Sequence, residues 1–331
     1  DVSGSMRRPN KLDLAKKSLR TLVDNLDEED TVALATYAGQ TRKVLNPTSA
    51  AKSDRIKSAI GRLRAGGSTA MNSGLNIAYK LALRNFQSEH VNRVVVLSDG
   101  NANVGPSSHE QILDRIDRYV EKGVTLSTIG FGGRHYRDQM MEQLANNGNG
   151  NYFFIDSMDQ ARRVFEEKLT GTLQTIAKDV KLQVEFDEQN VEKYRLVGYE
   201  NRDVKDKNFR NENVDAGEIG AGHTVTAVYE LQVADNADGP LATVRVRHKP
   251  PQGSNASEQT FPVRYSDLHD TIQDASTDFR FAASVAAFAE KLRHSPHANN
   301  LSLALVEELA SSSAGDSPER QEFVRLVRQM N

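Results

Sequence analysis

The sequence predicts an α/β protein: a doubly wound, mostly parallel, Rossmann-like sheet, followed by an antiparallel β-sandwich and a C-terminal helical segment. Three observations carry this. Over the first half, strand-like and helix-like segments alternate, the rhythm of a parallel sheet wound by crossover helices. Inside it, Val94-Val95-Val96 lies in a continuous apolar run, as a strand buried on both faces requires. Past about residue 176 the helices stop, and strands of alternating polarity follow one another between Asn-, Asp- and Gly-rich turns. The division expected is 1–172 for the α/β part, 176–268 for the sandwich and 269–331 for the helices.

In order, Lys11 to Leu26 has the spacing of an amphipathic helix, with Leu12, Ala15, Leu19, Leu22, Val23 and Leu26 on one stripe. Residues 31–37 form a mostly apolar strand, and Thr41 to Leu45 a second, shorter one at an edge. Ser53 to Leu63 reads as a basic amphipathic helix. The turn Ala65-Gly66-Gly67-Ser68-Thr69-Ala70-Met71 leads into a helix from Asn72 to Asn85. Arg93 to Leu97 is the buried strand, Glu110 to Glu121 a helix, and Val124 to Phe131 the next strand. Gln139 to Ala145, Asn151 to Ile155 and a long helix from Met158 to Leu173 close the region. Strands are then expected at 180–186, 194–198, 224–233, 242–247 and 258–265, and helices at 277–293, 301–311 and 318–330. The Ala-rich stretch at 282–289 is expected to be buried against the sandwich or the first domain.

Composition narrows the function classes. The chain has 331 residues, 38% of them hydrophobic, enough for ordinary cores, and no apolar run approaches a membrane span. A formal net charge of −3 and the absence of tryptophan argue against a nucleic-acid surface. With no cysteine, disulfides and thiolate metal sites are ruled out.

The chemistry sits in Asp1-Val2-Ser3-Gly4-Ser5-Met6. One carboxylate and two hydroxyls alternate, so a loop leaving a strand can converge three oxygens while Gly4 relieves crowding. Oxygen donors without nitrogen or sulfur suit Mg2+, or another hard divalent cation such as Mn2+ or Ca2+. The motif alone is weak, since average usage gives it by accident on the order of one time in ten in a chain this long. Open parallel sheets, however, bind ligands beyond the carboxyl ends of their strands. Two further loops should end there, bringing Thr69 and Asp99. Asp1, Ser3, Ser5, Thr69 and Asp99 are therefore the candidate metal residues.

Asp1-x-Ser3-x-Ser5, Gly66-Gly67-Ser68-Thr69 and Leu97-Ser98-Asp99-Gly100 resemble the metal-ion-dependent adhesion site of the von Willebrand factor type A domain, over roughly residues 1–170. The resemblance implies that Ser3, Ser5 and Thr69 ligate the ion directly, and that Asp1 and Asp99 hold it through waters. An Asp or Glu of a protein ligand would complete the shell. It also implies a first strand upstream of Asp1, where an export signal or lipid anchor of an envelope-associated bacterial protein would lie. Arg195–Arg202, Val214–His223 and Asp278–Ala283 resemble the C-terminal region of bacterial YfbK-like proteins, with inter-alpha-trypsin inhibitor heavy chains as more distant relatives.

Other readings compete. Ser and Thr commonly cap helices. A phosphoryl-transfer enzyme would want a second carboxylate where Ser3 stands, and Ser5 lacks a Gly-x-Ser-x-Gly context and an obvious His base. A scaffold binding through its sandwich, with the metal merely structural, is a further alternative. His294 and His297 sit near Pro296 at a helix end and read as solvated. Gly130–Gly133 and Gly148–Gly150 lack the Lys-Ser/Thr of a phosphate loop. The segment Gly217–Gly222 reads as a hairpin or bulge. Arg55, Lys57, Arg62 and Arg64 read as a solvated face beside the metal loop. The expectation is a non-catalytic module that binds protein, with no nucleic acid and no membrane span.

Overall fold

A computed structural model describes the chain except residues 9, 69, 89, 101–105, 133–137, 169–174, 199–204, 213, 215, 252, 254 and 331. The chain forms two compact units. The first comprises Asp1–Val180, Ala216–His223 and Lys249–Asn255, and the second Lys181–Asp215, Thr224–His248 and Ala256–Asn331.

In the first unit the order is α1 (Leu12–Asp24), β1 (Thr31–Thr36), β2 (Arg42–Ser49), α2 (Ser53–Gly61) and α3 (Met71–Arg84). There follow β3 (Asn92–Ser98), α4 (Pro106–Val120), β4 (Val124–Phe131), α5 (Asp138–Asn147), β5 (Tyr152–Ile155) and α6 (Met158–Arg162). Strands β3, β4 and β5 are parallel neighbours in that order, while β1 and β2 pair antiparallel.

Successive side chains of a strand point to opposite faces, and the two cores follow that parity. Val94, Val96, Val124 and Leu126 pack with α3, α4 and α5 through residues such as Tyr79 and Ile116. Val95, Leu97, Ile129 and Phe131 face the other way, onto α1, α6 and Phe165. A third cluster joins α2 to the β1–β2 pair through Ile56, Ile60 and Leu45. Helices on both faces of a parallel sheet are the doubly wound arrangement expected.

Three local expectations need correction. Strand β2 does not stop at Leu45 but runs through Pro47 to Ser49, and it is longer than β1. Proline interrupts a sheet only where its missing N–H is needed, and among the described residues β2 has a partner on one side alone. The long helix from Met158 is α-helical only to Arg162, then continues as a π-turn over Arg163–Lys168. The end predicted for it, up to Leu173, lies outside the described residues. Helix α4 begins at Pro106, four residues before the expected start, as proline tolerates a first helical turn.

Beyond β5, strand β6 (Thr175–Phe186) starts in the first unit, where β8 (Gly217–Gly220) pairs with it antiparallel; the glycine-rich segment is a short strand in an irregular, bulged register, the bulge alternative of the expectation. In the second unit, β10 (Pro240–Lys249) lies between β6 and β11 (Ser257–Arg264). Strands β7 (Val191–Val197) and β9 (Val228–Val233) form a separate antiparallel pair. Phe186 of β6 stacks on Tyr194 of β7 at 4.2 Å and meets Tyr229 of β9 edge-on at 5.4 Å, so aromatic contacts join the two sheets.

Helices α7 (Thr277–Leu292), α8 (Leu303–Ser313) and α9 (Pro318–Met330) follow. Ser276 and Ser302 cap α7 and α8 by accepting from Phe279 and Leu305 N–H. Their shared core is Phe288, Val306 and Val327, with Phe323 edge-on to Phe288. The burial expected of the Ala-rich stretch is thus only partial: Ser284 and Phe288 are buried, the alanines are half-buried or exposed, and Phe288 packs with the neighbouring helices. Among the described residues no helix is long and apolar enough to cross a membrane.

Candidate metal centre

The loop at Asp1 is fastened by its main chain to three parts of the first unit. The Asp1 amine donates to Leu97 O at the end of β3 (2.8 Å), and Val2 N–H to Tyr37 O just after β1 (3.0 Å). Gly66 N–H donates to Val2 O and Gly4 N–H to Gly67 O, at 2.8 and 2.9 Å, which ties the loop to the segment preceding Thr69. A 3-10 turn, Gly4–Arg7, then plants Met6 in the core beside α1 and Phe131.

That main chain aims the side chains. The Ser3 and Ser5 hydroxyls lie 2.9 Å apart, with Ser3 almost fully buried. The Asp1 carboxylate accepts from Ser3 N–H on one oxygen and from the Ser98 hydroxyl on the other, both at 2.8 Å. Asp99 follows directly and is 1% exposed. Hydrogen bonds thus join Asp1, Ser3 and Ser5 to Ser98 at the end of β3, with Asp99 the next residue along the chain. The fifth expected member, Thr69, lies outside the described residues.

Spacing revealed neither of two participants. Ser98 orients Asp1, as described. Lys11, at the residue before α1, places its Nζ 2.7 Å from Asp99 Oδ2 and is itself buried. One signal was readable: a cation at a helix start is opposed by the helix dipole and calls for a nearby anion. The glycine requirement also shifts. A Cβ on Gly4 would make only ordinary contact, 3.4 Å from Gly67 O. At Gly67, where close backbone approach is expected as at Gly66 and Gly100, φ is +84° and a Cβ would stand 2.9 Å from Gly39 N, so glycine is demanded there.

The donor set is oxygen alone, and the cluster already accommodates a positive charge, the Lys11 ammonium. Both features fit a hard cation. No group of three or more His, Cys, Asp or Glu that could hold a metal is found among the described residues. A cation here would depend on hydroxyl donors as well as carboxylates.

A profile of the von Willebrand factor type A domain matches residues 1–167. The chain belongs to this family. Behind the type A domain, a profile described as the C-terminal part of the uncharacterized protein YfbK matches residues 171–239 and 232–331. The uncharacterized protein YfbK of Escherichia coli K12 is 38% identical over 348 residues, covering 99% of this chain and 60% of the relative. An uncharacterized protein of Synechocystis sp. PCC 6803 is 26% identical over 167 residues, half of this chain and 39% of the relative. The chain thus spans less than two thirds of these curated relatives. Among solved structures, a von Willebrand factor type A protein from Catenulispora acidiphila superposes with a TM-score of 0.61 at 19% identity, covering 99% of this chain and 80% of its own. That likeness extends the shared fold past the type A domain. Type A domains are protein-interaction modules, and this chain carries one.

Proposed function

We propose that the chain is a non-catalytic, metal-dependent protein-interaction or adhesion module. In this reading a divalent cation, Mg2+ or else Mn2+ or Ca2+, is held directly by Ser3, Ser5 and Thr69 and through water by Asp1 and Asp99. It bridges to an Asp or Glu carboxylate of a protein ligand. Residues 1–172 would bind the partner, with the sandwich (176–268) and helices (269–331) as the body behind them.

The carrying observation is the Ser3–Ser5 hydroxyl pair, 2.9 Å apart, with Ser3 N–H donating to the Asp1 carboxylate. With hydroxyls next to the ion and carboxylates one water removed, the cation keeps most of its charge and still attracts an outside carboxylate. The same arrangement disfavours catalysis, since among the described residues the Ser5 hydroxyl pairs with that of Ser3, which is no general base.

The test presents immobilised protein with a library of acidic peptides and their Asn/Gln counterparts, in Mg2+ and in EDTA, using wild type and Thr69→Ala. Binding is expected only for carboxylate peptides, only with metal and only to wild type. Binding that ignores both chelator and substitution would sink the bridging reading and favour the sandwich as the docking element. Phosphatase or esterase turnover abolished by Asp1→Ala or Ser5→Ala would make the protein an enzyme.

A further inference from the structure

We propose that Lys11 is a built-in counter-cation of the metal centre. Without metal its ammonium neutralises Asp99, and a divalent cation binds only by competing with it for that carboxylate. The inference rests on the metal-site reading above.

Lys11 Nζ is 2.7 Å from Asp99 Oδ2; the Lys11 side chain is 11% exposed and that of Asp99 is 0%. Water and salt reach such a pair poorly, so each charge needs the other, or a substitute, to remain inside. Position sharpens the point. Lys11 precedes the first residue of α1, where unpaired helix N–H groups repel a cation. An ammonium held there is held by Asp99.

Asp99 directly follows Ser98, whose hydroxyl donates to the Asp1 carboxylate, and Ser3 N–H donates to that same carboxylate. A doubly charged ion among these oxygens would share one carboxylate with a cation already in contact. Two cations drawing on one buried carboxylate, one in contact and one through water, repel each other where little solvent screens them, so the weaker holder yields. Lysine is suited to yielding, since its charge rides on a flexible four-carbon stem that can swing toward water.

The competition has a functional consequence. Apparent cation affinity falls by the fraction of molecules whose Asp99 is occupied by Lys11. Lys11 then sets the free-cation threshold above which the module becomes competent, and keeps the empty site folded below it.

Lys11→Met keeps the apolar stem and deletes the charge. Mn2+ binding is followed by loss of the free-ion electron paramagnetic resonance signal, with Ser3→Ala in each background to locate the ion. Lys11→Met is expected to bind Mn2+ at least about tenfold more tightly than wild type, and Lys11→Arg no more tightly than wild type. A wild type that fails to bind while Lys11→Met binds also supports the proposal.

If Lys11→Met binds equally or more weakly, with Ser3→Ala still abolishing binding, Lys11 is no competitor and the metal site stands. If no variant binds Mn2+, the site reading fails and this proposal with it. Should Lys11→Met not fold, the wild type alone decides by its lysine ammonium resonances. The protected Lys11 signal, assigned by its absence in Lys11→Arg, is expected to vanish on Mg2+ addition. Its persistence at saturating Mg2+ overturns the competition.

Discussion

The Ser98 hydroxyl donates to the Asp1 carboxylate at 2.8 Å across 97 positions of sequence, and the Ser98 side chain is completely buried. Its oxygen also accepts from Gly100 N–H at 3.3 Å. One hydroxyl therefore holds the first carboxylate of the site and the turn after the second. Replacing it by alanine leaves two polar groups short of a partner.

Ser98→Ala is accordingly expected to cost ~1–3 kcal/mol of stability in EDTA. It should also weaken Mn2+ binding by roughly tenfold, because Asp1 loses its orientation. Urea unfolding and metal titration measure the two effects. An unchanged metal affinity would show that Asp1 needs no help from Ser98.

Gly67 and Gly66 make a paired comparison. A Cβ at Gly67 meets Gly39 N at 2.9 Å with φ at +84°, whereas one at Gly66 meets nothing nearer than Arg7 Nη2 at 3.8 Å. Gly67→Ala should destabilise by ~1–3 kcal/mol, and by more if backbone must shift. It should also disturb the hydrogen bond from Gly4. Gly66→Ala should be close to neutral. Thermal melts of the two single variants decide, and equal effects would argue against the glycine requirement assigned to position 67.

In the second unit, pH should act through Glu290. Burial favours its neutral form, but hydrogen bonds from Ser295, Arg293 and Arg195, with the Arg195 charge, outweigh that and hold it at about 2, against an ordinary 4.5. A carboxylate depressed in the folded state contributes fully above 4.5, and that contribution is lost as pH falls from 4.5 toward 2. The linkage is worth ~3 kcal/mol. Denaturant unfolding at pH 6 and pH 3 should therefore show a steeper acid loss for wild type than for Glu290→Gln. Parallel pH profiles would remove Glu290 from the account.

What was legible in the sequence follows from range. A continuous apolar run is a local signal, so the stretch at 94–97 announced a strand buried on both faces, and each face found its own helices. The Asp1 loop and Asp99 were legible for a related reason: open parallel sheets gather their strand-end loops at one edge. Contacts set by tertiary placement were not. Lys11 stands 88 residues from Asp99 and Arg195 stands 95 from Glu290, and no spacing rule links either pair. The π-turn after Arg162 was equally hidden, since Val164 and Phe165 keep a helix-like apolar spacing while the backbone widens to bury both. Strand β2 runs past the expected end at Leu45 through Pro47, which its one-sided pairing among the described residues tolerates.

Met6 separates the stability of the loop from that of the unit. It is 1% exposed, directly follows Ser5, and packs in the cluster containing Phe131 and Phe165. Met6→Ala should cost ~2–5 kcal/mol as a buried side chain is lost, while Met6→Leu, which conserves volume, should cost less than about 1.5 kcal/mol. Ile60→Ala empties a different cluster, between α2 and the β1–β2 pair, and should cost a comparable amount. The distinction lies in the metal. If Met6 pins the turn that aims the Ser3 and Ser5 hydroxyls, Met6→Ala weakens Mn2+ binding under conditions where both variants remain folded, and Ile60→Ala does not. Equal metal affinity in the two variants would mean that the loop's main-chain bonds to Leu97, Tyr37 and Gly67 hold the hydroxyls without the anchor.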